Sequence, residues 1–155
     1  MITAIDTNIL LDILTKDKKF YESSKKSLDE CLSSGALIIN EIVYAELATQ
    51  FENMEMLDRF IKETQISFVP SSLKALKEAA KTWNEYLKRK NKSIQCPKCG
   101  KQVQLFCEYC SLPIIIRQHI ISDFLIGAHA KIHSDRLLTR DRGYYRIYFN
   151  ALSLL

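Results

Sequence analysis

Short apolar runs, set between stretches whose apolar residues recur every three or four positions, constrain this chain more than any other feature. Residues 2–5, Ala36-Leu37-Ile38-Ile39, and Ile66 to Val69 ahead of Pro70 read as buried strands. Leu137-Leu138 before Thr139 reads as a fourth, and Ala151 to Leu155 is a candidate fifth. Between them Leu73, Leu76, Ala80, Trp83 and Leu87 mark one apolar helical stripe, and Ile120, Ile121, Phe124, Leu125 and Ala128 mark another. Strands alternating with helices predict an α/β fold with a central parallel sheet covered on both faces. At 155 residues, 47% hydrophobic and 26% charged, the chain has the composition of one ordinary folded domain and not of a disordered segment.

In a parallel α/β sheet, ligands gather beyond the carboxyl ends of the strands. That rule selects among the polar residues. Asp6 directly follows the first strand, Asn40 follows the second and is placed to cap the helix carrying Glu46, and Asp141 lies just past the fourth. Asp123 interrupts Ile120-Ile121-Ser122-Asp123-Phe124-Leu125-Ile126-Gly127, an otherwise nearly apolar run. Each acid has an ordinary explanation. Asp6 would cap the helix beginning at Thr7, Glu46 would be a surface acid, Asp123 a helix polar position, and Asp141 a partner for Arg140 or Arg142. Together they predict a cage of hard oxygen ligands, because charges beside buried stretches are rare unless paired or bound to metal. Oxygen donors without nearby histidine point to Mg²⁺ or Mn²⁺. His129 and His133 lie four apart on one helix with no accompanying H-E-x-x-H pattern, and we read them as structural or surface residues.

Cys96-Pro97-Lys98-Cys99 and Cys107-Glu108-Tyr109-Cys110 are two C-x2-C pairs. Four thiolates at this spacing predict a tetrahedral structural Zn²⁺ site with every position filled by protein. Gly100 supplies a permissive turn after the first pair, whereas Ser111 in the second must make its turn less comfortably. Cys31 is expected to be a small buried apolar residue. The opening residues lack a signal peptide's basic start and apolar stretch, and the longest uncharged apolar run, Leu112 to Ile116, is too short for a bilayer. The expected location is the cytoplasm, with no membrane association. Thiols stay reduced there, which favours metal over disulfides.

Of the net charge of +4, Lys88, Arg89, Lys90, Lys92, Lys98 and Lys101 supply six positive charges across 88–106 without an acid, leaving −2 for the remainder. Such a block suits RNA-backbone contacts or, equally, a solvated helix end. Phe106 and Tyr109 are candidates for stacking on a base, with packing around zinc as the plainer role.

Asp6-Thr7-Asn8, Glu46 in Tyr44-Ala45-Glu46-Leu47, Asp123 in Ser122-Asp123-Phe124-Leu125-Ile126-Gly127-Ala128, and Leu138-Thr139-Arg140-Asp141 stand in the order of the acidic motifs of PIN-domain nucleases, and the chain resembles their toxin-like VapC branch. The resemblance covers 1–92 and 114–155 as the nuclease domain, with 93–113 an inserted zinc ribbon that short VapC-like proteins lack. It implies a three-layer α/β/α endoribonuclease in which Asp6, Glu46, Asp123 and Asp141 are catalytic and hold one or two Mg²⁺ or Mn²⁺ ions. Thr7, Asn8 and Thr139 match neighbours that orient those ligands. It also implies an RNA substrate, a protein antitoxin if the chain is a toxin, and a homodimer. An RNA-processing PIN nuclease, a DNA-directed nuclease and a non-catalytic zinc-ribbon adaptor are the competing readings.

Overall fold

The computed structural model describes residues 1–89, 94–95, 102–114 and 120–155. The elements run β1 (Ile2–Ile5), α1 (Thr7–Leu14), α2 (Tyr21–Ser34), β2 (Ala36–Ile39), α3 (Glu41–Ala48), α4 (Met54–Glu63), β3 (Ile66–Phe68) and α5 (Leu73–Arg89). Two short pairs follow: β4 (Ile94–Gln95) with β5 (Gln102–Val103), and β6 (Leu105–Phe106) with β7 (Pro113–Ile114), both antiparallel. The chain then forms α6 (Ile121–His133), β8 (Arg136–Leu138), α7 (Arg142–Tyr148) and β9 (Ser153–Leu154).

Five strands make the central sheet in the order β3-β2-β1-β8-β9, every adjacent pair parallel. Thr3, Ala4 and Ile5 are buried in succession, as are Leu37, Ile38 and Ile39. Successive strand residues point to opposite faces, so unbroken burial means both faces are covered. All four predicted strands form within a residue of their expected bounds, and the candidate fifth becomes the edge strand β9. Chain order runs outward in both directions from β1, which makes the carboxyl ends of β1 and β8 the topological switch point where such sheets bind ligands.

The helical stripes need correction. Leu73 is 67% exposed, and Leu76, Ala80 and Leu87 are also exposed. Instead α5 turns Ala75, Ala79, Thr82 and Tyr86 inward. Small residues at three- and four-residue steps let α5 close on α6, where Trp83 and Tyr86 set their rings 5.1 and 5.4 Å from that of Phe124. Likewise Ile120 and Ile121 are exposed, and α6 buries Phe124 and the run from Ile126 to Ala130. Greasy residues were a poorer guide here than small ones, because close helix approach selects for size before hydrophobicity. Cys31 is buried, as expected of a small apolar side chain. His129 is a core residue with Nε2 2.8 Å from the Val69 carbonyl oxygen, and burial holds its pKa below the usual histidine range. Among the described residues no helix is long and apolar enough to cross a membrane.

Gly127 sits inside α6 against Phe149, which is fully buried. A Cβ at this position would lie 2.4 Å from Phe149 Cε2 and 2.7 Å from Cδ2. The ring is wedged in the core and has nowhere to retreat. Gly127→Ala should therefore lower stability by about 1–3 kcal/mol even though alanine is the better helix former. The check is the thermal midpoint, expected to fall by roughly 3–10 °C and to recover in part in the Gly127→Ala/Phe149→Leu double variant.

Candidate active site at the switch point

Asp6 leaves the end of β1 at the N-cap position of α1, but its carboxylate makes no capping hydrogen bond. It is 7% exposed, and Oδ2 accepts instead from Thr139 Oγ1 at 2.6 Å and from Asn8 Nδ2 at 2.7 Å. Asn8 Nδ2 lies 3.3 Å from Thr139 Oγ1 as well, closing a triangle between the ends of β1 and β8. The backbone N–H of Arg140 donates to Asn8 Oδ1 at 3.2 Å and that of Asp141 to Thr139 Oγ1 at 3.0 Å. Asn8 and Thr139 are thus each oriented by a backbone N–H from outside the triangle.

The other acids arrive from three helices. Asn40 caps α3 by accepting from the Val43 N–H at 3.1 Å, as the sequence predicts, and this aims the helix that carries Glu46. The Thr7 hydroxyl donates to Glu46 Oε2 in a very short hydrogen bond. Asp123 stands in the first turn of α6, where Oδ2 accepts from the Ile120 N–H at 3.1 Å. Asp141 is exposed and caps α7 through the Tyr144 N–H at 3.4 Å. Arg140 does not pair with it. Its Nε lies 2.8 Å from Asp12 Oδ2 instead.

The charges of these acids reach one another. Burial pushes the Asp6 carboxyl up to about 6, with Asp123 and Glu46 adding like-charge repulsion, against hydrogen bonds from Thr139 and Thr7 that oppose the rise. The phenol of Tyr145 beneath them is driven above its ordinary range by burial first and then by the charges of Asp6, Asp123 and Asp141. Tyr144 is raised likewise, with Asp123 the largest charge contribution. Both phenols stay protonated, so the acids stand over a neutral aromatic floor that screens them poorly. Among the described residues, however, no three His, Cys, Asp or Glu side chains are gathered tightly enough to form a preassembled metal-binding group. The predicted carboxylates share a field without sharing a coordination shell. An oxygen-only donor set carrying unbalanced negative charge suits a hard divalent cation.

Asp12 and Arg140 escaped the sequence reading as a pair. Asp12 is 3% exposed and also accepts from Ser24 Oγ at 2.6 Å, while the Arg140 guanidinium lies 4.2 Å from the Phe20 ring centroid. This clamp fixes the residue whose backbone N–H orients Asn8. A carboxylate amid Leu10, Leu11, Ile13 and Leu14 is the same signal that singled out Asp123.

Of the predicted zinc ligands, Cys107 and Cys110 occupy a tight turn and form no disulfide. Ser111 N–H donates to the Cys107 carbonyl at 2.8 Å, and Cys107 N–H to that of Leu112 at 2.8 Å. Backbone N–H groups of Cys110 and Tyr109 hold the Cys107 thiol below its ordinary range. Ser111 adopts φ 56°, in the left-handed region that suits glycine better, so the second turn is the less comfortable one. Cys96 and Cys99 lie outside the described residues. Of the basic block, Lys88 is exposed near the end of α5. The Arg89 side chain, Lys90, Lys92, Lys98 and Lys101 lie outside the described residues.

A family model for the PIN domain matches residues 3–94. In fold the chain is similar to VapBC2 from Rickettsia felis, in a structure with a DNA fragment from their promoter, at TM-score 0.64 and 20% identity over 100% of this chain and 98% of that chain. It is similar to VapBC-1 from nontypeable Haemophilus influenzae at TM-score 0.62 and 20% identity, over 100% of this chain and 97% of that one. FitAcB from Neisseria gonorrhoeae gives TM-score 0.59 and 17% identity over 100% and 96%. Among curated proteins no sequence matches.

A carboxyl whose pKa is higher in the fold than in the unfolded chain binds its proton better when folded, so it favours the fold below the unfolded value of 3.8 and ceases to as pH rises through about 6. Ionised Asp6 is therefore a liability at neutral pH when no cation is present. In a chelator, Asp6→Asn should stabilise the protein at pH 8 by about 2–3 kcal/mol, and the gain should vanish below pH 4. Denaturant midpoints of the two proteins across that pH range make the check. A variant no more stable than the parent at pH 8 would refute the strained carboxylate.

Proposed function

The chain belongs to the PIN-domain family, whose members are typically nucleases, and on that premise we propose that it is a divalent-metal-dependent endoribonuclease acting as the toxin of a toxin–antitoxin pair. The observation that carries the reading is the buried, hydrogen-bonded Asp6 at the switch point, pressed by the charges of Glu46 and Asp123. A carboxylate kept in so unfavourable a setting costs stability unless a cation joins it.

In this reading Asp6, Glu46, Asp123 and Asp141 hold Mg²⁺ or Mn²⁺, which would supply water activation and shield charge developing on the phosphate. The remaining work belongs to the chain. Thr139 and Asn8 fix Oδ2 of Asp6, so this carboxylate is oriented before any cation arrives. Thr7 holds Glu46 at its place beside them. The buried phenols of Tyr144 and Tyr145 keep the floor uncharged and dry, which strengthens each electrostatic contact above it. The reaction is hydrolysis of an RNA phosphodiester, with water adding to phosphorus and the 3′ oxygen leaving. The 5′-phosphate and 3′-hydroxyl ends follow from the PIN resemblance.

The toxin role rests on the resemblance to the VapC branch and on the VapBC and FitAcB folds among the neighbours, which suggest a protein antitoxin as partner. A homodimer and a cytoplasmic location belong to the same reading. Residues 93–113 would be a ribbon inserted in the nuclease domain, with structural Zn²⁺ on Cys96, Cys99, Cys107 and Cys110. The N–H groups aimed at the Cys107 sulfur support this, since they favour the thiolate that zinc needs.

Incubation with total RNA should give Mn²⁺-dependent cleavage, and Asp6→Asn or Asp123→Asn should reduce the rate on the order of 10³-fold or more while the fold persists. Cleavage confined to DNA would assign a DNA-directed nuclease, and intact RNA and DNA together would assign an adaptor. Elemental analysis of the purified protein should find one zinc per chain, lost in Cys107→Ser. A zinc-free protein with an unchanged melting point would remove the ribbon's metal.

A further inference from the structure

Beside the acidic site, between α2 and the strands β8 and β9, lie two cavities of about 500 and 380 Å³. Both are lined by Ser27, Leu138, Arg142 and Leu155, so they form one continuous trough. Thr139 and Arg140 line the end nearest Asp6, and Arg136 lines the far end. From Arg136 to Thr139 the trough follows β8 for about 10 Å at some 3.3 Å per residue. That is room for two neighbouring backbone phosphates of a single strand.

The charges along this length are unequal. Arg140 is paired with the buried Asp12 and packed on Phe20, so it serves as wall. Arg136 donates only to neutral groups, from Nε to Thr3 Oγ1 at 2.8 Å and from an Nη to Ser34 Oγ, and keeps its full charge. Arg142 is exposed and has no ion pair among the described residues. Glu30, exposed on α2, is the acid lining the outer cavity. Ser23, Ser24 and Ser34 spend their hydroxyls on Phe20, Asp12 and Cys31. Ser27, half-buried where the two cavities meet, has no hydrogen-bond partner among the described residues, and Arg142 lines the same junction. An unpaired guanidinium beside an uncommitted hydroxyl is a donor set for a phosphodiester oxygen, and the apolar Leu138 and Leu155 beneath it would take the sugar.

We infer that this trough carries single-stranded RNA on one side of the scissile bond, with a backbone phosphate held between Arg142 and Ser27. Arg136 takes the next phosphate outward. These are contacts to backbone, so the trough sets the register of the strand over the acids without reading its sequence. The inference rests on the reading of those acids as an RNA-cutting site.

The test measures binding of a labelled ten-nucleotide single-stranded RNA to the full chain by fluorescence anisotropy, in the Asp6→Asn background and across a salt series, with cleavage assayed in parallel in the parent background. Arg142→Ala should weaken binding about tenfold and lower the slope of log affinity against log salt by about 0.7, and Arg136→Ala/Arg142→Ala by about 1.4. Ser27→Ala should cost about threefold and leave the slope unchanged. Arg142→Lys, which keeps the charge, should keep the slope and shows that position 142 tolerates change. Affinity and slope indifferent to Arg142→Ala overturn the trough, and if the parent still cuts RNA, the nuclease reading stands without it. Trough-dependent binding by a parent that never cuts RNA with Mn²⁺ overturns the nuclease reading and keeps the trough.

Discussion

The hydrogen bond from Thr139 to Asp6 joins two segments that are 133 residues apart in the chain and adjacent in the sheet. It exists because β1 and β8 are parallel neighbours that end together, so the first residue beyond each strand faces the other. The chain order of the sheet reverses at β1, and at such a reversal the strand ends are left open to a ligand. Asn8 and the backbone of residues 140–141 then complete a network that leaves little freedom to the carboxylate. Everything proposed about chemistry follows from that position. A carboxylate there is desolvated, oriented and surrounded by other negative charge before any ligand arrives.

The site has two kinds of support. One is polar and local: the triangle at the strand ends, and the Asp12–Arg140 clamp stacked on Phe20 behind it. The other is apolar and extended. Phe124 gathers Trp83, Tyr86, Tyr144 and Tyr148 around one ring, tying α5, α6 and α7 into a single aromatic block. Asp123 precedes Phe124 in the chain, so the packing of that block fixes where the acid emerges. Uncharged Tyr144 in that block, with Tyr145 packed against it, then sets the low dielectric in which the acids interact.

Strands were legible in the sequence because a buried parallel strand must be apolar on both faces, and Ala36-Leu37-Ile38-Ile39 has few other uses. Asp6, Glu46 and Asp123 stood out because each interrupts or borders such a run. The inward face of α5 was not legible. Leucines at 73, 76 and 87 look like a core stripe, but close contact with α6 requires Ala75 and Ala79, whose small size is a weak signal in a single sequence. The clamp was missed because Arg140 sits between Thr139 and Asp141, and proximity in the chain suggested Asp141 as its partner. Space gave it Asp12. The strain at Ser111 was legible, since a knuckle with glycine after one pair and serine after the other implies an uneasy backbone at the second.

The outermost strand has a role beyond closing the sheet. Its two residues pair with β8, and the Thr139 N–H donates to the Leu155 carbonyl at 3.3 Å as Leu155 N–H donates to Leu137. Breathing of an edge so short is among the cheapest openings available to a folded domain. Each such opening unfastens the backbone of the residue whose hydroxyl steadies Asp6. The rhythm of fraying at the sheet's border is thereby linked to the poise of its centre, and whatever stiffens β9 also steadies the carboxylate two strands away.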